Sequence, residues 1–286
     1  MRRPYAYPED QAALDALFNN RARWPDFAST VTGWQRAGEA ALARPGWHLD
    51  LAYGPGPKQT LDLLVPPRKG AARAPLFVFI HGGYWQSLDK SDVRGLAPAF
   101  ADRGIAYATL NYALCPDVSV EAIVRQIRDA FAFLWREAPR LGCDPRRIHV
   151  GGHSAGGHLA AMLCTMDDLP VRPAGCFSVS GVYDLAPLAR SYQQPVLRLS
   201  AREVERYSPL TLRPQPGTRL WVTVGGDELG AFIGQQADLV HAWRGAGAAV
   251  TVVPAPGHSH FSIVGTVVSF GHPVGKAALA MIGPER

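Results

Sequence analysis

The stretch "RIHVGGHSAGGHLAAML", from Arg147 to Leu163, decides the fold. Its first part is a short apolar run, its last part carries small and apolar residues at helical spacing, and Gly152-His153-Ser154-Ala155-Gly156 between them fits G-x-S-x-G. A glycine-rich turn alone says little. Placed between an apolar strand and a helix, it predicts a sharp turn that forces the serine into an unfavourable backbone conformation, with small residues two positions to either side relieving the crowding. The Ser154 hydroxyl then stands above a sheet, and the helix that follows favours negative charge developing at its N-terminus. Ser154 is read as a nucleophile.

Working outward, the chain alternates apolar strands with amphipathic helices. The strands are Ala74 to Ile80, Ile105 to Tyr112, Arg147 to Gly152, Ala174 to Ser180, Arg219 to Gly226 and Ala248 to Pro254. Helices such as SVEAIVRQIRDAFAFLWREA and GQQADLVHAWRGAG lie between them. Continuous apolar strands alternating with helices imply a parallel sheet covered on both faces. Ahead of them, His48 to Gly54 and Gln59 to Pro66 alternate around a GPGP turn and read as an antiparallel pair. The expectation is one α/β domain over residues 1–286, with a mostly parallel sheet of eight strands. Residues 1–45 form an N-terminal helical segment, and 184–214, rich in Arg, Pro and Tyr and without a strand, are expected to form a small cap over the sheet edge.

Bulk properties narrow the function. With 286 residues, 47% apolar and 19% charged, the composition is that of a soluble globular enzyme. No apolar run reaches the roughly 20 residues that span a bilayer, and the start MRRPYAYPEDQAALDAL has no apolar signal region. The expected location is cytoplasmic, with no membrane partner. The net charge of +5 comes from scattered basic residues, the densest group being Arg136, Arg140, Arg146 and Arg147 at a helix end and turn. That reads as a solvated surface, not a nucleic-acid site. Cys115, Cys143, Cys164 and Cys176 are far apart and make no C-x-x-C pair, so neither a disulfide framework nor a zinc site is indicated. No metal or cofactor is called for.

A serine nucleophile needs a base, and the base an orienting acid. Both are expected after Ser154 in the chain, on loops at the carboxyl ends of later strands. "LWVTVGGDELG" puts Asp227 just past one strand end, and "VTVVPAPGHSHFSIV" puts His258 and His260 past the next. We assign Asp227 as the acid and His260, which precedes Phe261 and a helix start, as the base. Glu228, one residue further along the loop, is expected to point elsewhere; Asp184, one strand early, is expected to be structural. His81, His153 and His158 are expected to be hydrogen-bonded supports for the loops.

The attacked carbonyl becomes an oxyanion that preorganised N–H donors must meet. "FIHGGYWQ" ends a strand with Gly82 and Gly83, whose bare Cα atoms let backbone come close to another group. Gly82, Gly83 and Ala155 are therefore expected to form the oxyanion hole. Tyr84 and Trp85 are expected at the rim, either binding substrate or packing under the loop, and Asn111 and Tyr112 carry the same two alternatives.

Several of these segments together resemble one family. "HGGYWQSLDKS", "GGHSAGGHLAAML", "SVSGVYDL", "GGDE", "GHSHFSIV" and "NNRARWPDF" occur in an order similar to that of the α/β-hydrolase superfamily, among its hormone-sensitive-lipase-like esterases and especially the arylformamidases (kynurenine formamidases). The resemblance implies an α/β-hydrolase fold, a metal-free serine mechanism and cleavage of an N-formyl-L-kynurenine-like aryl formamide from tryptophan breakdown. It matches Ser154, Asp227 and His260 to the family's triad, and Gly82, Gly83 and Ala155 to its oxyanion donors. Related HGGYW loops serve other esters, amides and carbamates, so a carboxylesterase or aryl-amide or carbamate hydrolase of small acyl substrates is the alternative. A ligand-binding protein without turnover would have no need of the full Ser, acid and His set. The expected partner is a small, aromatic acyl substrate; a homodimer is compatible with the sequence.

Overall fold

In the computed structural model, which describes residues 4–67 and 73–283, eight strands form one sheet. They are β1 (Trp47–Ala52), β2 (Thr60–Leu64), β3 (Ala74–Ile80), β4 (Ala106–Leu110), β5 (Cys143–His153), β6 (Cys176–Val179), β7 (Arg219–Gly225) and β8 (Ala249–Ala255). Their spatial order is β1-β2-β4-β3-β5-β6-β7-β8. β1 with β2 and β2 with β4 are antiparallel, and every later pairing is parallel. β3, β4 and β6 are buried along their whole length, as the continuous apolar runs require of strands covered on both faces.

Two apolar layers flank the sheet. Leu76, Val78 and Ile80 of β3 point into the larger one, with the helices Val120–Glu137 and Ala155–Leu163. Phe77 and Phe79 point into the other, with Phe100, Val264 and the helix Pro273–Ile282. The alternation along β3 is thus the sheet's two-residue period expressed in a strand with no polar face. No helix among the described residues is long and apolar enough to cross a membrane.

One charged residue lies inside β2. Asp62, in the middle of TLDLL, is entirely buried. Lys90 Nζ ion-pairs with it, Arg94 Nη2 reaches its Oδ2 at 2.6 Å, and Asp50 also pairs with Lys90 at 2.5 Å. Lys90 and Arg94 follow the β3 loop and Asp50 lies on β1, so the network ties β1 and β2 to the segment that leaves the end of β3. Removing one member of a buried pair strands the other charge, at about 3–5 kcal/mol. Asp62→Ala is therefore expected to lower stability by about that much, read as a shift of the urea midpoint at unchanged m-value.

Residues 184–214 form short helical turns without a strand, including Gln194–Leu197 and Ala201–Arg206, and make the small cap. Trp243 Nε1 donates to Pro209 O at 2.9 Å and Leu210 N to Tyr183 O at 2.9 Å, which fixes the cap to the helix Gly230–Gly245 and the β6 loop. At the other end of the chain, Phe27–Ala41 is a single helix, while the segment before it breaks into Gln11–Ala16 and Asn20–Arg23. Of the basic residues at 136–147, Arg136 and Arg140 pair with Glu137 at 3.2 and 2.9 Å and Arg146 with Asp144 at 3.4 Å, while Arg147 donates to Ile282 O at 3.2 Å.

Candidate active site

β5 runs into the helix Ala155–Leu163 through Ser154, whose φ of 56° and ψ of −119° lie where side chains are strained, at about 1–3 kcal/mol. The turn can be this sharp only because its neighbours lack Cβ atoms. A Cβ on Gly152 would lie 2.3 Å from Gly156 O, and one on Gly156 would lie 2.0 Å from Ile80 O. The hydroxyl is thereby held at the carboxyl edge of the sheet, and the Ala155 N–H opens the helix beside it.

His260 lies on the loop after β8 and is buried. Its ring is walled by Phe232 at 4.6 Å and His153 at 4.6 Å between centroids. The expected acid is not the one that reaches it. Glu228 Oε2 lies 2.6 Å from His260 Nδ1, while Asp227 is exposed. β7 ends at Gly225, and Glu228 N closes a turn onto Gly225 O at 3.2 Å. This turn directs Asp227 to solvent and folds Glu228 back under the strand end. There its Oε1 accepts from Gly225 N at 2.7 Å and from Ser180 Oγ at 2.5 Å. Both carboxylate oxygens are occupied by donors, so the acid is fixed in place and the Nδ1–H of His260 is oriented toward it. That leaves Nε2 as the nitrogen available to Ser154, and both residues border one cavity.

The competing residues have other duties. His258 turns aside, with Nδ1 3.3 Å from Ser262 Oγ and its ring edge-on to His272. Asp184 accepts from Ala186 N at 2.9 Å in its own turn. His153 Nε2 donates to His260 O at 2.7 Å, and His158 Nε2 to Tyr207 O at 2.7 Å. Burial holds the His153 imidazole well below its ordinary pKa, with the neighbouring His260 adding to the effect, and burial lowers His158 to about 4. Both are neutral braces, one for the base's backbone and one for the cap. His81 stacks on Tyr112 at 4.4 Å, and its Nδ1 lies 2.9 Å from Gly82 O.

Gly82 and Gly83 follow β3 on the same edge. A Cβ on Gly82 would stand 2.9 Å from His153 O and 3.1 Å from Ser154 Cβ, and Gly83 has φ +97°. The chain thus passes against the serine because these positions are glycine. Asn111 and Tyr112, left ambiguous by the sequence, brace this loop. Asn111 accepts from Lys90 N and donates to Asp89 Oδ2, both at 2.7 Å, and Tyr112 donates to His81 O at 3.0 Å. Trp85 is not at the rim. It is fully buried, edge-on to His158 at 4.9 Å, and its carbonyl accepts from Cys115 N at 2.7 Å. Tyr84 does line the cavity, with its hydroxyl donating to Phe18 O at 2.7 Å.

The cavity is small, with about 30 Å³ of space open to a water-sized molecule. Beside Ser154, His260, Gly83 and Tyr84 it is walled by Asn20, Arg21, Phe27 and Trp34. The N-terminal helical segment thus supplies one wall of the site. The cap instead borders an adjoining groove, through Tyr192, Gln193 and Val196, together with Arg21 and Tyr84. The signal for the N-terminal wall was "NNRARWPDF", noted as part of a resemblance but not given a place. Chemically, the arrangement offers a strained hydroxyl, an imidazole oriented by a carboxylate, and backbone N–H groups within an enclosed, partly aromatic space.

The family model BD-FAE matches residues 61–174. A kynurenine formamidase of Salmo salar is 29% identical over 265 residues, covering 89% of this chain and 88% of that protein. The crystal structure of a candidate thioesterase from Silicibacter sp. superposes with a TM-score of 0.83 at 30% identity, covering 94% of this chain and 98% of the other. Esterase B of Lactobacillus rhamnosis, at 20% identity and a TM-score of 0.72 over 95% and 96% of the two chains, shares the fold.

Proposed function

The chain belongs to the α/β-hydrolase superfamily and is related to kynurenine-formamidase-like esterases, and on that footing we propose that it is a serine hydrolase of small acyl esters and aryl amides working through an acyl-enzyme. The observation that carries the proposal is the 2.6 Å contact of Glu228 with His260 Nδ1, beside a strained Ser154 on the same cavity. In this mechanism His260 Nε2 takes the Ser154 proton as Oγ bonds to the acyl carbon. The carbonyl π pair moves to oxygen, where the N–H groups of Gly82, Gly83 and Ala155 meet it. A single such donor is typically worth about 3–4 kcal/mol in the transition state. The carbonyl re-forms, the leaving group departs with the proton from His260, and water releases the acyl group by the same steps in reverse order. Glu228 stabilises the imidazolium throughout.

The limited cavity volume favours short acyl groups, and Phe27, Trp34, Tyr84 and Phe261 suit an aromatic leaving group. A second reading, an aryl formamidase, is favoured by the Salmo salar relative. The two are separated by kcat/KM on 4-nitrophenyl acetate and N-formyl-L-kynurenine, with Ser154→Ala as blank. Turnover of the ester is the expected result. A formamide advantage of about a hundredfold, roughly 3 kcal/mol of differential transition-state binding, selects the second reading. Turnover of neither sinks both.

A further inference from the structure

Asn20 borders the cavity of Ser154 and His260, is 2% exposed, and among the described residues neither its Oδ1 nor its Nδ2 has a hydrogen-bond partner. Buried amides are almost always satisfied, so a whole orphaned side chain beside a candidate nucleophile requires a reason. Local structure supplies none. Asn20 opens the short helix Asn20–Arg23, but the capping is done by Asn19, whose Oδ1 accepts from Ala22 N at 3.1 Å. Nor is the segment loose. Tyr84 Oη donates to Phe18 O, and Arg21 lies 4.7 Å over the Phe27 ring and donates to Ser87 Oγ at 2.9 Å. Ser87 Oγ in turn donates to Gly83 O at 3.1 Å. The segment bearing Asn20 is thus pinned to the same loop that carries the glycines beside Ser154.

We propose that the Asn20 Oδ1 accepts the N–H of a substrate's scissile amide or carbamate, so that this residue decides between N–H-bearing substrates and esters. The inference rests on the serine-hydrolase reading above and deepens it. The chemistry is specific to nitrogen. When Ser154 Oγ bonds to the amide carbon, the nitrogen turns from planar to pyramidal and acquires a lone pair. That lone pair must face His260 Nε2, which delivers the proton it took from Ser154 as the C–N bond breaks and the amine leaves. The nitrogen's own hydrogen then points away from His260 and needs an acceptor inside a cavity largely closed to water. An ester oxygen has no such hydrogen, so the acceptor contributes to amide cleavage and nothing to ester cleavage. A site that hydrogen-bonds a substrate N–H discriminates strongly against analogues lacking it, because its buried polar atom otherwise stays unpaired.

The test compares 4-nitrophenyl acetate, 4-nitroacetanilide and N-methyl-4-nitroacetanilide on wild type, Asn20→Leu and Asn20→Ala. Leucine keeps the shape and removes both polar atoms; alanine covers the case in which leucine does not fit. The expected result is a fall in the anilide-to-ester ratio of kcat/KM by about thirtyfold or more in both variants. The N-methyl anilide, which has no N–H, should already be poor in the wild type. Because two unpartnered polar atoms are removed, Tm of Asn20→Leu should stay level or rise. A ratio that moves less than threefold overturns the proposal. So does a parallel loss on ester and anilide accompanied by a fall in Tm, which marks Asn20 as structural. Wild-type turnover of the ester with 4-nitroacetanilide inert overturns it while the serine-hydrolase reading stands for esters; inertness toward all three removes both.

Discussion

Glu228→Gln is expected to lower kcat by about 10³–10⁴-fold, while Asp227→Asn should stay within about threefold of wild type. The asymmetry follows from what surrounds the carboxylate. Gly225 N and Ser180 Oγ both donate to Oε1, so in the glutamine variant the amide oxygen must take that position. The amide NH₂ then faces His260 Nδ1, where Oε2 stood at 2.6 Å. Two donors cannot meet, and His260 shifts its proton to Nε2. That is the wrong tautomer for a base toward Ser154, and the charge that would stabilise the imidazolium is lost as well. Asp227 has an exposed side chain, and its backbone N–H donates to His258 O at 3.2 Å. Steady-state kinetics on one ester, with circular dichroism to confirm the fold, decides the matter. A loss in Asp227→Asn with Glu228→Gln intact would reverse the assignment.

Ser154→Ala is expected to remove turnover, by about 10⁴–10⁶-fold, leaving only what the oxyanion donors and binding supply. The fold is expected to survive. The Ser154 backbone N–H is held by Val179 O at 2.9 Å, and the carbonyl accepts from His158 N at 3.1 Å, so the turn is set by the main chain and the flanking glycines, not by the hydroxyl. Alanine inherits the same φ and the same strain, so Tm should move by only a degree or two. Residual activity at near-native level in this variant would remove the serine mechanism altogether.

Much of the sheet was legible because several strands are continuous apolar runs, so APLFVFI and RLWVTVGG mark themselves without tertiary information. Ser154 and His260 were legible for a related reason: Ser154 follows β5 directly and His260 lies on the loop after β8, both on the edge where connections of parallel strands emerge. Glu228 was not. Position along a loop says little about direction when a turn intervenes. The bond from Glu228 N to Gly225 O reverses the chain within three residues. It gives the longer side chain the inward path and the shorter one the outward path. Trp85 could be read equally as rim or core. What decided it was the buried His158 beneath, a residue 73 positions later whose proximity no local pattern announces. The wall of the cavity was the least legible part, because Asn20, Arg21, Phe27 and Trp34 come from a segment whose helices fold back over the edge of the sheet. Asp62 belongs with these cases: one carboxylate in an apolar strand makes sense only with Lys90 and Arg94 beside it.

The most direct test of the central claim is the site and rate of labelling by a fluorophosphonate, read by peptide mass spectrometry on wild type, Glu228→Gln and Asp227→Asn. The account predicts one adduct, on Ser154, formed at wild-type rate in Asp227→Asn and at least about a hundredfold more slowly in Glu228→Gln. An unlabelled Ser154, or labelling slowed by loss of Asp227 and not of Glu228, would contradict it.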